Sequence, residues 1–182
     1  MSVLRIFLLI SLVALTSECQ QNSAQDTSAV VSLSPPASCP VTVRPANPFM
    51  PPGSDQLDEK SFVLGNEKLW TVYRDEVWEW QPHAPGQEYE VQPLTVKIFL
   101  WSKDFDSRKE YPPELKVTGR RLDGYAPALL TLRPTNAFVG PTPAMLSGVY
   151  VPTPGCWEIT SEYKGEKLSF VVWVQPVKPA NQ

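Results

Sequence analysis

The stretch GCWEITSEYKGEKLSFVVWV, residues 155–174, contains two runs of strand-favouring residues separated by Lys164-Gly165. A two-residue loop of this kind is typical of a β-hairpin and fixes which residues face one another. On one face the predicted pairs are Ile159 with Phe170, Trp157 with Val172 and Ser161 with Leu168. On the other face they are Glu162 with Lys167, Thr160 with Ser169, Glu158 with Val171 and Cys156 with Trp173. Apolar partners meet on the first face and one opposite-charge pair falls on the other, so the register is self-consistent.

The chain from residue 61 onward repeats this pattern of short apolar-alternating runs between turn residues. No window of about 11 residues carries the apolar stripe of an amphipathic helix. The candidate strands are 61–64, 68–74, 76–81, 94–101, 115–122, 129–132, 145–151, 156–163 and 167–174. Closely spaced strands with proline, glycine and aspartate between them are typical of sandwiches and barrels. We therefore predict an all-β fold, a single immunoglobulin-like β-sandwich over residues 39–176.

The N-terminus has the pattern of a signal peptide. Residues 6–15, IFLLISLVAL, form an apolar run of ten residues behind Arg5. A membrane-spanning helix needs about 20 residues, whereas this length suits the core of a signal peptide. A buried core helix is the alternative. We predict a signal peptide over residues 1–19, a flexible tether over 20–38, a disordered tail over 177–182, and an exported protein that does not span the membrane.

The segment around Cys19 permits two predictions for the N-terminus of the mature protein. The segment LTSEC, residues 15–19, resembles the lipobox of bacterial lipoproteins, although Glu18 stands where a small residue belongs and Leu15 is one place too far upstream. The polar, proline-containing residues that follow suit a flexible tether. Lipid attachment at Cys19 is one prediction. Ordinary secretion, with Cys19 removed or left near the cleavage point, is the other.

The three cysteines of the chain leave an even number once Cys19 is set aside. In an exported protein an even remainder indicates a disulfide, so we predict a bond between Cys39 and Cys156. A closed loop of roughly 100 residues or more gives on the order of 4–5 kcal/mol of stabilisation in the chain-entropy treatment. Two separate buried thiols are the alternative.

Composition disfavours several classes of function. The chain has 182 residues, 20 prolines, a formal net charge of -3 and one histidine. That histidine, His83, lies in the turn sequence QPHAPG, so a multi-histidine metal site is excluded and a histidine-activated nucleophile has no support. The acidic balance makes nucleic acid an improbable partner, because phosphate binding depends on Lys and Arg. We predict no metal and no cofactor.

A glycosidase holds two carboxylates about 5–10 Å apart, and no acidic pair close in sequence is a convincing candidate. Glu158 and Glu162 share a strand face with about 13 Å between their backbones. Asp104 and Asp106 are close enough, at about 6–7 Å, but they lie in a segment predicted to be a charged hairpin loop. We predict no catalytic residues, and carboxylates brought together from distant parts of the chain are the alternative.

Trp78 and Trp80 are the one aromatic pair with a functional interpretation. They alternate with Val77 and Glu79, so both rings point to the same side of a strand. Two such rings can form a stacking platform for sugars or anchor a protein partner. Burial of both rings in the core is the alternative.

The segments LGNEKLWT, TGRRLDG and PTPGCWEIT…LSFVVWV resemble a family of uncharacterised exported bacterial proteins. Members share these segments together with a CPVT-like start, and the resemblance covers residues 39–175. The closing hairpin alone also resembles the last strands of immunoglobulin-like domains. The resemblance implies an exported β-rich domain and brings no activity with it.

The sequence as a whole predicts an exported, non-enzymatic module that acts by surface binding. Its expected partner is an unknown protein or glycan at the cell envelope or outside the cell. A carbohydrate-active enzyme, or a carbohydrate-binding module that uses exposed Trp residues, is the alternative.

Overall fold

The computed structural model describes residues 34–52, 54–74, 78–80 and 96–176. These residues contain one short 3-10 turn, Ser54–Gln56, and ten strands. The strands are β1 (Ser61–Asn66), β2 (Leu69–Arg74), β3 (Trp78–Trp80), β4 (Val96–Trp101), β5 (Lys116–Arg121), β6 (Leu130–Thr131), β7 (Thr135–Val139), β8 (Thr142–Tyr150), β9 (Gly155–Tyr163) and β10 (Glu166–Pro176).

The strands form two sheets that enclose one hydrophobic core. The six-stranded sheet has the order β1-β2-β4-β8-β6, and β7 also pairs with β8. The four-stranded sheet has the order β3-β10-β9-β5. Both sheets contribute buried side chains to the same core, and Tyr73 of one sheet meets Phe170 of the other at 5.6 Å between ring centroids. The prediction of an all-β sandwich is confirmed.

The closing hairpin has the predicted register. β9 and β10 pair with Trp157 opposite Val172 and Cys156 opposite Trp173. Lys164 and Gly165 have φ values of 49° and 85°, and positive φ at both positions is what a tight hairpin turn of this hand requires. The side chains of one hairpin face, including Trp157, are fully buried. Local sequence therefore determines this part of the fold.

Residues 39–52 form no strand. Instead the Thr42 N–H donates to the carbonyl of Val171 at 3.0 Å, and the Val171 N–H donates to the Thr42 hydroxyl at 2.8 Å. Two residues later, the Arg44 guanidinium donates to the carbonyls of Glu59 and Ser61 at 2.7 and 2.9 Å. The segment thus fastens an edge of β10 to the start of β1.

Two further expectations are wrong. β7 was not among the predicted strands, because prolines stand on both sides of its short sequence TNAFV and read as turns. The charged segment between β4 and β5 is not a hairpin loop. β4 pairs with β8 and β5 pairs with β9, so the segment crosses from one sheet to the other.

The predicted signal peptide, Cys19, residues 20–33 of the tether, His83 and the C-terminal tail lie outside the described residues. Among the helices of the described part, none is long and apolar enough to cross a membrane.

Candidate functional site

The six-stranded sheet is split between β2 and β4. β1 and β2 share six residue pairs and β4 and β8 share five, but β2 and β4 share only two, Trp70 with Trp101 and Thr71 with Leu100. Where this short ladder ends, the Thr71 hydroxyl donates to the carbonyl of Phe99 at 2.8 Å. A side chain therefore takes the place that a backbone donor has in a continuous ladder.

The split follows from the path of the chain. β3 pairs with β10, in the opposite sheet, only four residues after β2 ends at Arg74. Four extended residues span about 13 Å, and packed sheets lie about 10 Å apart, so the chain must leave the first sheet at once to reach the second. β2 consequently diverges from β4 as it approaches its end.

A cavity of about 710 Å³ lies at this split, and we call it the β2–β4 cleft. On the core side it is lined by Tyr73, Trp78 and Phe170, and on the other side by Val72, Phe99 and Phe138. Because Val72 and Phe99 alternate with the core residues Tyr73 and Ile98, they point to the outer face of the sheet. The cleft therefore reaches from the outer face of the sheet to the core.

The walls of the cleft are mainly apolar, and six of the described residues that line it are aromatic. Trp78 is half-buried and meets Phe170 edge-on at 6.3 Å, and Phe99 stacks against Trp101 at 6.4 Å. Phe138, at the end of β7, exposes 68% of its surface. Ligand sites have volumes of about 300–1,000 Å³ and predominantly apolar walls, so both the size and the lining of the cleft suit a small apolar ligand.

The charged residues of the cleft are cationic. Arg74 and Lys97 line it, and no Asp or Glu is among the described residues that do. Arg74 pairs at 3.2 Å with Asp58, which is not part of the lining. A hydrogen bond with Ser61 and the guanidinium of Arg74 hold the pKa of Asp58 below its usual value. The charged side chains among the described lining residues are therefore both positive, and Arg74 is paired with a carboxylate outside the lining.

Of the two tryptophans singled out from the sequence, Trp78 has a described side chain and Trp80 has only a described backbone. Trp78 is in the wall of the cleft, where part of its ring contacts the core. The backbone of Trp80 pairs with Pro176, and its side chain lies outside the described residues. A binding surface made by both rings stays a prediction. Sequence reasoning missed Phe138, because β7 itself was missed.

Cys39 and Cys156 form the predicted disulfide, with 5.6 Å between their Cα atoms. Both residues are buried. Since Cys156 alternates with the core residue Trp157 along β9, its sulfur lies on the outer face of the four-stranded sheet. The alternative of two separate thiols is wrong.

The segments TGRRLDG and PTPGCWEIT meet at one end of β5 and β9. The Arg121 guanidinium donates to Asp123 at 2.6 Å and to the Thr153 hydroxyl at 3.3 Å, and the Trp157 indole N–H donates to the Thr153 carbonyl at 3.0 Å. Gly155 has a φ of 141°, and a Cβ there would stand 2.6 Å from Arg121 Nε. Arg121 is thus held in a structural cluster.

A second polar cluster joins the hairpin turn to the crossing segment between β4 and β5. The Tyr163 hydroxyl and the Lys164 ammonium donate to the two oxygens of Glu110 at 2.8 and 2.7 Å. Burial raises the pKa of Tyr163 to about 12, and the Glu110 carboxylate raises that of Lys164. Burial opposes ionisation of Glu110, but hydrogen bonds from Lys164 and Tyr163 outweigh it and lower its pKa.

Replacing Glu110 by Gln is expected to lower the free energy of unfolding at pH 7 by about 1–2 kcal/mol, because two charge-assisted hydrogen bonds are weakened. The folded-state pKa of Glu110 lies below its usual value of 4.5. Its contribution is therefore fully present above that value and is lost as the pH falls through the folded-state pKa. Urea denaturation at a series of pH values measures the difference between the two proteins.

The matched control is Glu162→Gln, because Glu162 faces Lys167 at 3.3 Å on an exposed surface. We expect it to change the free energy of unfolding at pH 7 by less than about 0.5 kcal/mol. A Glu110→Gln difference that stays undiminished at strongly acidic pH would contradict the role given to the carboxylate.

No protein-family model, no curated protein and no solved structure matches this chain. The resemblance to exported bacterial proteins accordingly stays a prediction. Within the described ranges, no three His, Cys, Asp or Glu residues lie close enough together to hold a metal ion.

Proposed function

We propose that this protein is an exported, non-enzymatic binding module whose β2–β4 cleft takes a small apolar ligand. The observation that carries this proposal is the cavity of about 710 Å³ lined by Trp78, Phe99, Phe138 and Phe170. Folded proteins seldom leave such a set of aromatic side chains around accessible space unless something binds there.

Export is supported by two independent features. The apolar run at residues 6–15 has the length of a signal-peptide core. The disulfide between Cys39 and Cys156 is a bond that persists mainly in oxidising compartments. We propose a location in the cell envelope or outside the cell, with residues 20–38 as a tether and with lipid on Cys19 as one form of attachment.

A non-catalytic role is supported by the state of the carboxylates. Glu158 pairs with Arg120 at 2.6 Å, and Asp123 with Arg121 at the same distance. Glu110 is held by Tyr163 and Lys164, as described above. These carboxylates are engaged in cross-links between elements, which is a structural use and not that of a glycosidase acid–base pair.

The carbohydrate alternatives receive less support from the cleft. A sugar platform presents open aromatic faces beside several hydrogen-bonding side chains. Trp78 instead packs its ring against Phe170, and most of the surrounding side chains are apolar. A purely apolar molecule, or the apolar part of a larger one, suits these walls better.

We also propose that the sandwich has immunoglobulin-like connections. In that fold strands A, B, E and D form one sheet and strands C, F and G form the other. β2, β4, β8 and β7 match the first set, and β5, β9 and β10 match the second, in the correct order along the chain. β2 and β3 together then correspond to strand A, whose second half, β3, has crossed to the other sheet and pairs with β10. β1 is an additional strand at the edge of the first sheet.

The binding proposal is tested with the neutral fluorophore N-phenyl-1-naphthylamine, titrated into the mature protein. We expect saturable binding of one probe per chain. Phe138→Ala is expected to weaken it about 3- to 10-fold, which corresponds to part of the transfer free energy of one Phe side chain. Phe138 is mostly exposed, so this change is expected to leave folding intact.

The matched control is Tyr125→Ala, which removes an even more exposed aromatic side chain that does not line the cleft. Its probe affinity is expected to equal that of the unmodified protein. Either the absence of saturable binding or equal losses in the two variants would show that the cleft is not a ligand site.

A further inference from the structure

We propose that the ligand of the β2–β4 cleft is a free long-chain carboxylate, whose tail enters the cleft and whose acidic group is bound at Lys97. This inference rests on the proposed function and adds the chemical class of the ligand. It draws on three features of the cleft: its charge, its depth and the orientation of β4.

Among the described residues that line the cleft, the charged ones are Arg74 and Lys97, and both are cationic. The guanidinium of Arg74 is already held by Asp58 at 3.2 Å. Lys97 is exposed, lies opposite Gly148 of β8, and forms no ion pair with a carboxylate of the described residues. An ammonium group next to apolar walls can bind the anionic group of an otherwise apolar ligand.

The depth of the cleft suits a tail and not a compact anion. Phe99 stands at the outer face of the sheet, whereas Trp78 and Phe170 stand at the core. A small inorganic anion bound at Lys97 would not cover the parts of these rings that face the cleft. An alkyl chain would bury apolar surface along the whole path, at about 25 cal/mol for each Å² removed from water.

The orientation of β4 places the two parts of such a ligand in the correct order. Lys97 and Phe99 point outward, while Val96 and Ile98 point toward the core. The four-carbon stem of a lysine lies along apolar surface and keeps its charged end in water. A carboxylate at Lys97 consequently stays at the outer rim, and the attached chain runs inward between β2 and β4.

The test is displacement of N-phenyl-1-naphthylamine from the mature protein by dodecanoate or dodecanol, both below their micellar or solubility limits. We expect dodecanoate to displace the probe at a concentration at least about 10-fold lower than dodecanol does, because only the carboxylate gains a charge-assisted hydrogen bond. Raising the salt concentration is expected to reduce this advantage, since the rim is exposed.

One variant and its control test whether the acidic group of the ligand binds at Lys97. Lys97→Gln is expected to abolish the advantage of dodecanoate over dodecanol, each measured by displacement from the same variant. Lys116→Gln removes an exposed lysine on β5, away from the cleft, and is expected to preserve the advantage. Lys97 is exposed, so its replacement leaves the core untouched.

The outcomes separate this inference from the proposed function. If the probe binds but dodecanoate and dodecanol compete equally, the ligand is not recognised by a carboxylate. The inference then fails, while the proposal of an apolar ligand site stands. If the advantage survives Lys97→Gln, the assignment to Lys97 is overturned. Displacement by an uncharged extended peptide but by neither dodecyl compound would identify a peptide groove and overturn the inference. If the probe itself does not bind, the proposed function fails.

Discussion

Replacing both Cys39 and Cys156 by alanine is expected to lower the free energy of unfolding by about 4–5 kcal/mol. The disulfide links residues 117 positions apart, so it removes a large number of extended conformations from the unfolded chain. A single domain has only about 5–15 kcal/mol of net stability, so this loss takes away a large part of it. Urea denaturation of the two proteins at pH 7 measures the difference.

Reduction provides the control for the cysteine replacement. Dithiothreitol is expected to destabilise the unmodified protein by a similar amount and to leave the double variant unchanged. Alanine is preferred to serine at Cys156, because that side chain is fully buried and a hydroxyl there would need a new partner. A change below about 1 kcal/mol in both experiments would contradict the constraint that we assign to the disulfide.

Replacing Trp157 by alanine is expected to lower the free energy of unfolding by about 3–5 kcal/mol. Trp157 has no exposed surface and lies in the core between the sheets. Its removal leaves a cavity that close-packed strands fill only in part. The variant also loses the hydrogen bond from the indole N–H to the carbonyl of Thr153. Chemical denaturation, followed by far-ultraviolet circular dichroism, measures the effect.

Trp173→Ala is the matched control for this substitution. Trp173 has the same side chain on the adjacent strand β10 and lies opposite Cys156, on the outer face of the sheet, where it is half-buried. Its replacement is expected to cost less than half as much as that of Trp157. Equal losses would contradict the assignment of the inner and outer faces of the hairpin.

The hairpin could be predicted from the sequence because its information is local. Lys164 and Gly165 fix the turn, and every pair that follows is a consequence of strand alternation. The disulfide could be predicted because cysteine counting left one pair. Neither inference required knowledge of which distant strands lie side by side.

The cleft could not be predicted, because it depends on which strands pair with one another across long distances in the sequence. The alternation around Trp78 shows that its ring shares a side with that of Trp80, but not that β3 joins β10 in the opposite sheet. The early end of the β2–β4 ladder follows from that crossing. The bond between Glu110 and Lys164 likewise joins residues 54 positions apart, through two loops whose positions depend on the completed sandwich.

The disulfide also determines how the molecule responds to mechanical tension. A pull on the chain ahead of Cys39 passes through the sulfur atoms directly into β9, because the covalent bond is the shortest connected path. Residues 40–155 form a closed loop beside that path and cannot be drawn out while the bond is intact. β2 and β4 belong to this loop, so a force on the N-terminal side does not draw out these two strands of the cleft.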